Sequence, residues 1–489
     1  MKQWYKIGIL FCLLLGAGSC KKFLEVKPLD TLSGKDFWKT KGDATKAIGG
    51  AYASLLDKFT KGAMYNVGDF RAGNWNWFNK NGFRFLATNR LLSATDDNMN
   101  DIPDWGLFYK AIATANLCID RIPGIQDPNF STKDKKALVA EARFIRAFTY
   151  FYMVRLYGDV PLQTDAYDIT LRPREKMLTV MDFCLKDLAG CKDDMVISYD
   201  DPTNRAVRGT RGAALALMAH INMWCAGFDK ANQQKYWTQT DVLIKELIDL
   251  REYKLLEYTP ETFKNIFKGR SEEGIFELSL NANYGGQFHF LICQWTLHAP
   301  IIQDGLNGNS EITPIVKHLD RIYPRGESDK RMQFWFDDPY GSKGPQKPMF
   351  LKFSAITNPI TRDYDANFIF FRYADVILLR AEALANLGTR NDEAIAMLNL
   401  VRDRAGAKIY TGGGGTALQD AIFYEREKEL MGEGHLWYDL IRTGRIGNTN
   451  LTENPLTPEL MEKGAWTWPI STSAVNNNPL VVRNQYWIQ

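Results

Sequence analysis

The sequence predicts a mostly α protein with little β, a helical scaffold of tetratricopeptide-like hairpins broken by one irregular, loop-rich portion. Three observations carry this expectation. Apolar residues recur at three- and four-residue steps in one stretch after another along the 489 residues. Many of these stretches begin on capping residues or end on Gly and Pro, the usual helix punctuation. Between about 270 and 350 the period is lost: "EGIFELSL" alternates as a strand does, and Gly, Pro, Asn and aromatic residues break every helical run. The predicted division is a helical body over 31–269 and 351–489, with a loop-rich insertion over 270–350.

The N-terminus comes first. "MKQWYK" gives a positive flank, "IGILFCLLL" a short apolar segment and "GAGSC" a small-residue cleavage region, so residues 1–19 read as a signal peptide. The apolar run is too short to span a bilayer. Cys20 after small residues suits lipid attachment, which would make 20–30 a lipidated tether and join the chain to a membrane by several acyl chains.

Ser33 and Asp36 form an S-x-x-D helix start ahead of Ala44, Ala47, Ile48, Ala51, Tyr52 and Leu55, which mark one helix face. "DWGLFYKAIATANLCIDRI" repeats the period and stops at Pro123-Gly124. The clearest helix opens at Ser131 or Thr132 and closes at Gly158, with Pro161 shortly after. Further helices are expected in "TVMDFCLKDLAGC", "TRGAALALMAHINMWCAGF", "WTQTDVLIKELIDL", "FRYADVILLRAEALANLG", "DEAIAMLNLVRDRAG" and "ALQDAIFYEREKELMGEG". Ala381, Ala383, Gly388 and Ala394 are small where two helices of a hairpin must approach closely.

Charge excludes little except nucleic acid: the net charge is +3, with no clustered basic excess. The five cysteines left after Cys12 and Cys20, namely Cys118, Cys184, Cys191, Cys225 and Cys293, include no C-x-x-C and read as buried thiols. The five histidines lack the close pairing of a catalytic zinc site. "DDNMND" from Asp96 resembles half a calcium loop, but Asp101 replaces the turn glycine and Leu107 stands where the bidentate Glu belongs. Neither a metal nor a cofactor is expected. "GGGGT" at 412–416 lacks the Lys-Ser/Thr of a nucleotide loop, and Thr416 with Gln419 reads as a capping box. Glu425, Glu429 and Glu433 could suggest a glycosidase pair, yet on a helix mixed with Arg426 they read as a structural ionic network.

"GNWNWFNKNG" at 73–82 remains. Asparagines alternate with aromatics and glycines bracket them, which argues for a loop rather than a core or a strand. Trp75 and Trp77 beside Arg71, Asn74, Asn76 and Asn79 would offer flat apolar faces rimmed by amide and guanidinium groups, a combination that suits a sugar ring and its hydroxyls. The competing reading folds these tryptophans back to roof the helical body.

Several segments together resemble the SusD/RagB family of outer-membrane lipoproteins. They are "SCKKFLEVKP", "WGLFYKAIATANLCIDRI", "AEARFIRAFTYFYMVRLYGDVPL", "FRYADVILLRAEALANLG", "LNLVRDRAG", "EREKELMGEGHLWYDLIRTG" and "WPISTSAVNNNPLVVRNQYW". The resemblance implies a binder without catalysis, anchored through Cys20, that captures oligosaccharide and hands it to a SusC-type TonB-dependent transporter at the cell surface. A peptide-binding branch is the alternative within the family; a glycoside hydrolase is the alternative outside it. It further implies that ligand residues lie over Asp69 to Asn79 and about Asn283 to Trp295, which adds Asp69, Tyr284, Gln287 and Trp295 as candidates. Arg372 and Glu382 fall in the scaffold segments and are expected to be structural.

Overall fold

A computed structural model describes residues 37–61, 64–77, 81–91, 101–280, 291–303, 310–342, 347–358, 360, 363–364 and 366–488. The leader, Cys20, the Ser33/Asp36 start, Asn79, Tyr284, Gln287 and the 96–100 part of the calcium-like motif lie outside the described residues. The elements below all belong to the unit that begins at Thr40.

Local chemistry sets the helix limits. Helix α1 (Lys41–Thr60) begins on a reciprocal capping box: the Thr40 hydroxyl accepts the Asp43 amide at 3.2 Å while the Asp43 carboxylate accepts the Thr40 amide at 2.9 Å. The expected face is buried at Ala44, Ala47, Ile48, Ala51 and Leu55. Helix α2 (Gly106–Arg121) gives way to a 3-10 turn at Ile122–Gly124, where Pro123 removes a donor. Helix α3 (Thr132–Tyr157) is capped by Ser131 and stopped by Gly158, whose φ of 76° suits only glycine readily. Helices α1 and α2 pack together, as do α2 with α3 and α3 with α4 (Met177–Ala189).

Two further hairpins follow. Helix α5 (Arg211–Phe228) packs on α6 (Gln233–Asp249), and α7 (Tyr373–Leu387) packs on α8 (Asn391–Arg404). Gly388 at φ 73° closes α7, and Ala381, Ala385 and Ala394 let the helices approach around Leu384, Leu398 and Val401. Helix α9 (Thr416–Glu429) covers this core with Leu418 and Ile422. Its predicted start is corrected: Gly415, at φ 75°, occupies the cap, so Thr416 falls inside the first turn and no side-chain cap forms.

Strands are few and short. β1 (Trp75–Trp77) pairs antiparallel with β3 (Ile312–Pro314), and β2 (Gly274–Leu278) with β4 (Phe368–Arg372), which leads into α7. The segment "EGIFELSL" is thus a strand, buried on both faces. β1 corrects the loop expectation. Gly73, at φ 78° and packed where a Cβ would meet Glu453 Cβ at 2.8 Å, turns the chain into the strand, and the partner that completes it lies far along the sequence.

Candidate functional site

The structure divides the ten predicted ligand residues into three groups. Asp69, Arg71, Asn74, Trp75 and Trp295 are buried; Asn76 and Trp77 are half-buried at the end of β1; Asn79, Tyr284 and Gln287 lie outside the described residues.

For the first group the expectation of open, ligand-facing side chains is corrected, because each is packed inside the protein. The Arg71 guanidinium donates to the carbonyls of Trp466, Ala465 and Thr467 at 2.7, 2.8 and 3.0 Å and to Asn89 Oδ1 at 3.0 Å, and it lies 4.5 Å from the Trp437 ring centroid. The Asp69 carboxylate accepts the Gly434 amide, and burial pushes its pKa up to about 7. This approach requires glycine at 68, where a Cβ would lie 2.0 Å from the Gly434 carbonyl oxygen. The Asn74 side-chain amide donates to the Leu451 carbonyl at 3.0 Å, and the Asn74 main-chain carbonyl accepts the Ile315 amide at 2.9 Å.

Trp75 is 1% exposed, with its ring centroid 5.5 Å from that of Phe70 and 5.4 Å from that of Phe350, both edge-on. Trp295 lies 5.9 Å from Phe83 and 6.1 Å from Phe70 in the same aromatic layer. These rings form a pedestal. By the two-residue strand period Trp77 shares the face of Trp75, one at the half-exposed end and the other at the covered end. Asn76 points to the opposite face of the strand. The competing roof reading therefore describes Trp75, and the open-face reading is left with Asn76 and Trp77.

The acidic helix α9 carries an ionic lattice. Glu429 accepts from Arg372 at 2.7 Å, Arg404 at 2.5 Å, Arg331 at 2.9 Å and the Tyr258 hydroxyl at 2.8 Å. Glu433 meets Lys352 at 2.6 Å and Arg372 at 2.8 Å, and Glu425 meets Arg331 at 2.7 Å and Arg402 at 2.9 Å. All three glutamates are buried. Burial alone would raise the Glu429 carboxyl, but Arg404, Arg372 and Arg331 outweigh it and hold the group well below the usual carboxylate range. A general acid needs a raised pKa, whereas Glu429 is buried and held ionised by its arginine partners. Arg372 is structural as expected, and so is Glu382, which receives a bidentate pair from Arg442.

The turn at 101–104, which includes the last residue of the calcium-like motif, is held from within. The buried Lys58 ammonium donates to the carbonyls of Asp101 at 2.6 Å, Ile102 at 3.4 Å and Asp104, so a protein cation sits in that turn. Burial pulls its pKa down to about 7. Among the described residues no group of His, Cys, Asp and Glu is arranged to hold a metal, and no helix is long and apolar enough to cross a membrane. Cys118, Cys184, Cys191, Cys225 and Cys293 are free and buried.

Sequence reasoning missed a cleft of about 390 Å³ lined by Arg321, Tyr410, Tyr424 and Lys428. The only local signal was the four-residue step from Tyr424 to Lys428, which puts both on one face of α9.

Helical hairpins around an ionic lattice, with a short aromatic strand end raised on a packed pedestal, define a tetratricopeptide-like scaffold bearing an irregular face. Comparisons with known proteins assign it further. The SusD family profile matches residues 337–487, and a second profile, described as starch-binding associating with outer membrane, matches 22–223. SusD-like protein P38 of Formosa agariphila is 27% identical, with 99% of each chain covered. A SusD homolog from Bacteroides thetaiotaomicron of known crystal structure is 32% identical over 92% of this chain and 100% of its own, with a TM-score of 0.84. A laminarin-binding SusD-like protein shares the fold at a TM-score of 0.71 and 20% identity, covering 91% of this chain and 99% of its own. The chain belongs to the SusD family.

Proposed function

We propose that this protein is a cell-surface lipoprotein that captures oligosaccharide without transforming it and delivers it to a SusC-type TonB-dependent transporter. The observation that carries the ligand assignment is the half-buried Trp77, an indole at the open end of a strand whose inner residue Trp75 is locked, with Asn76 on the other face of the strand. A pre-set side chain loses little freedom on binding, and an indole face matches the apolar C–H surface of a sugar ring. Family membership supports the same reading, as does the laminarin-binding relative of the same fold. Anchoring through Cys20 is part of the proposal and rests on the sequence before that residue.

Calorimetric titration against starch- and laminarin-derived oligosaccharides and a peptide mixture tests the assignment. One glycan series is expected to bind, and Trp77→Ala to weaken it about three- to tenfold, the loss of one aromatic contact of about 0.5–1.5 kcal/mol. Peptide binding with silent glycans, or unchanged glycan affinity in Trp77→Ala, refutes it. Loss of membrane association in Cys20→Ser tests the anchor.

A further inference from the structure

The cleft missed in the sequence opens between the 323–329 turn, the end of α8 with the 407–412 loop, and the outer face of α9. Its volume of about 390 Å³ falls among small-ligand sites, on the order of 300–1,000 Å³. Two tyrosines line it. Tyr424 is half-buried on α9, with the Arg321 guanidinium 5.5 Å from its ring centroid. Tyr410 is fixed in the loop: its hydroxyl donates to the Gly413 carbonyl at 2.8 Å, and its main chain exchanges hydrogen bonds of 2.7 and 2.9 Å with the Asn399 side chain. Gly412 allows this fold-back, since a Cβ there would come within 2.7 Å of the Tyr410 ring. The tetraglycine run thus seats an aromatic ring at the cleft wall.

The charges in the cleft are unequally matched. Arg321 is engaged by Glu427 in a two-bond fork, Arg402 donates to Glu425 at 2.9 Å, and Asp329 is taken by Arg331 at 2.8 Å. Lys428 differs. It is half-buried one turn beyond Tyr424, with Nζ 5.5 Å from the Tyr323 ring centroid, and among the described residues no carboxylate lies within ion-pairing distance of it. Burial pulls its pKa below the ordinary lysine value; Glu425 and Asp329 pull the other way, and Arg331 and Arg402 side with burial. A cation partly removed from water without a counter-charge is destabilising, and an arriving anion relieves that cost.

We propose that this cleft is a second saccharide site, selective for a sugar that carries an anionic group such as a uronate carboxylate or a sulfate ester. Lys428 receives the anion, and Tyr410 and Tyr424 supply faces for the ring. The choice of a sugar as carrier rests on the glycan-binding reading above; the anion site does not, and no residue is shared with the Trp77 surface.

The test uses the full chain and three probes, sodium glucuronate, glucose and sodium acetate, followed by ligand-observed NMR titration. Glucuronate is expected to bind at least tenfold more tightly than glucose or acetate, and to weaken as sodium chloride is added. Lys428→Met is expected to abolish the preference over glucose, Lys428→Arg to retain most of it, and Trp77→Ala to leave it unchanged. Equal binding of glucuronate and glucose, acetate binding as well as glucuronate, or undiminished glucuronate affinity in a folded Lys428→Met overturns the proposal. Should Lys428→Met fail to fold, Tyr424→Ala takes its place, and unchanged glucuronate affinity there overturns it equally. Loss of neutral oligosaccharide binding in Trp77→Ala with glucuronate binding intact separates the two sites.

Discussion

Replacing Trp75 and Trp77 separately by alanine distinguishes a pedestal from a binding face, although the residues are chemically identical and two apart. Trp75 is 1% exposed and edge-packed on Phe70 and Phe350, so its truncation leaves a cavity in a closed aromatic layer. Burial of that kind is lost at a cost of about 3–5 kcal/mol. The unit from Thr40 to Gln489, at about 2.1 cal/mol/K per residue, has an unfolding entropy near 0.9 kcal/mol/K. The melting temperature of Trp75→Ala should therefore fall by about 3–5 °C. Trp77 is already part-exposed, so Trp77→Ala should cost roughly 1 kcal/mol and shift the melt by about 1 °C while reducing glycan affinity. Differential scanning calorimetry and titration on the same samples read both quantities. If Trp75→Ala melts like the parent and only its ligand binding suffers, the pedestal argument is wrong.

Four further outcomes follow from the same geometry. Glu429→Gln leaves Arg372, Arg404 and Arg331 short of a counter-charge and should cost about 3–5 kcal/mol in a urea titration. Gly68→Ala places a Cβ 2.0 Å from the Gly434 carbonyl oxygen and should destabilise by at least 1–3 kcal/mol through backbone displacement, read in the same titration. Burial lowers His435 to about 4 in the folded chain, against about 6.5 unfolded. The unfolded chain alone binds that proton between those values, so stability should decline as pH falls from about 6.5 to 4, by roughly 3 kcal/mol, and His435→Gln should flatten the slope. Burial raises the Cys118, Cys191 and Cys225 thiols to about 12 and holds Cys184 and Cys293 well above the ordinary thiol value; a chain starting at residue 21 should give no fast reaction with a thiol-specific disulfide reagent until denatured.

What could be read from the sequence was what neighbouring residues decide. Ser131, Gly158, the Pro123-Gly124 stop and the small residues of the α7 and α8 hairpin act within a turn or two, so pattern and outcome agree. The ionic fate of Glu425 and Glu429 was legible in kind, since acids alternating with arginines on a helix need partners, but Arg372, Arg404 and Arg331 as those partners were not. The division between Trp75 and Trp77 was illegible because it depends on Phe350 and on Ile312–Pro314, both distant in sequence. The capping role of Thr416 failed for a narrower reason: a left-handed Gly415 took the cap first.

The clamp on Arg71 has a consequence for biogenesis. Its guanidinium grips three carbonyls contributed by the closing stretch of the polypeptide. A chain synthesised from its N-terminus must carry that arginine without these three partners until the tail is made. Completion of the turn that leads into β1 is thereby deferred to the end of synthesis, and a product cut short before Ala465 would lack the carbonyls that hold it.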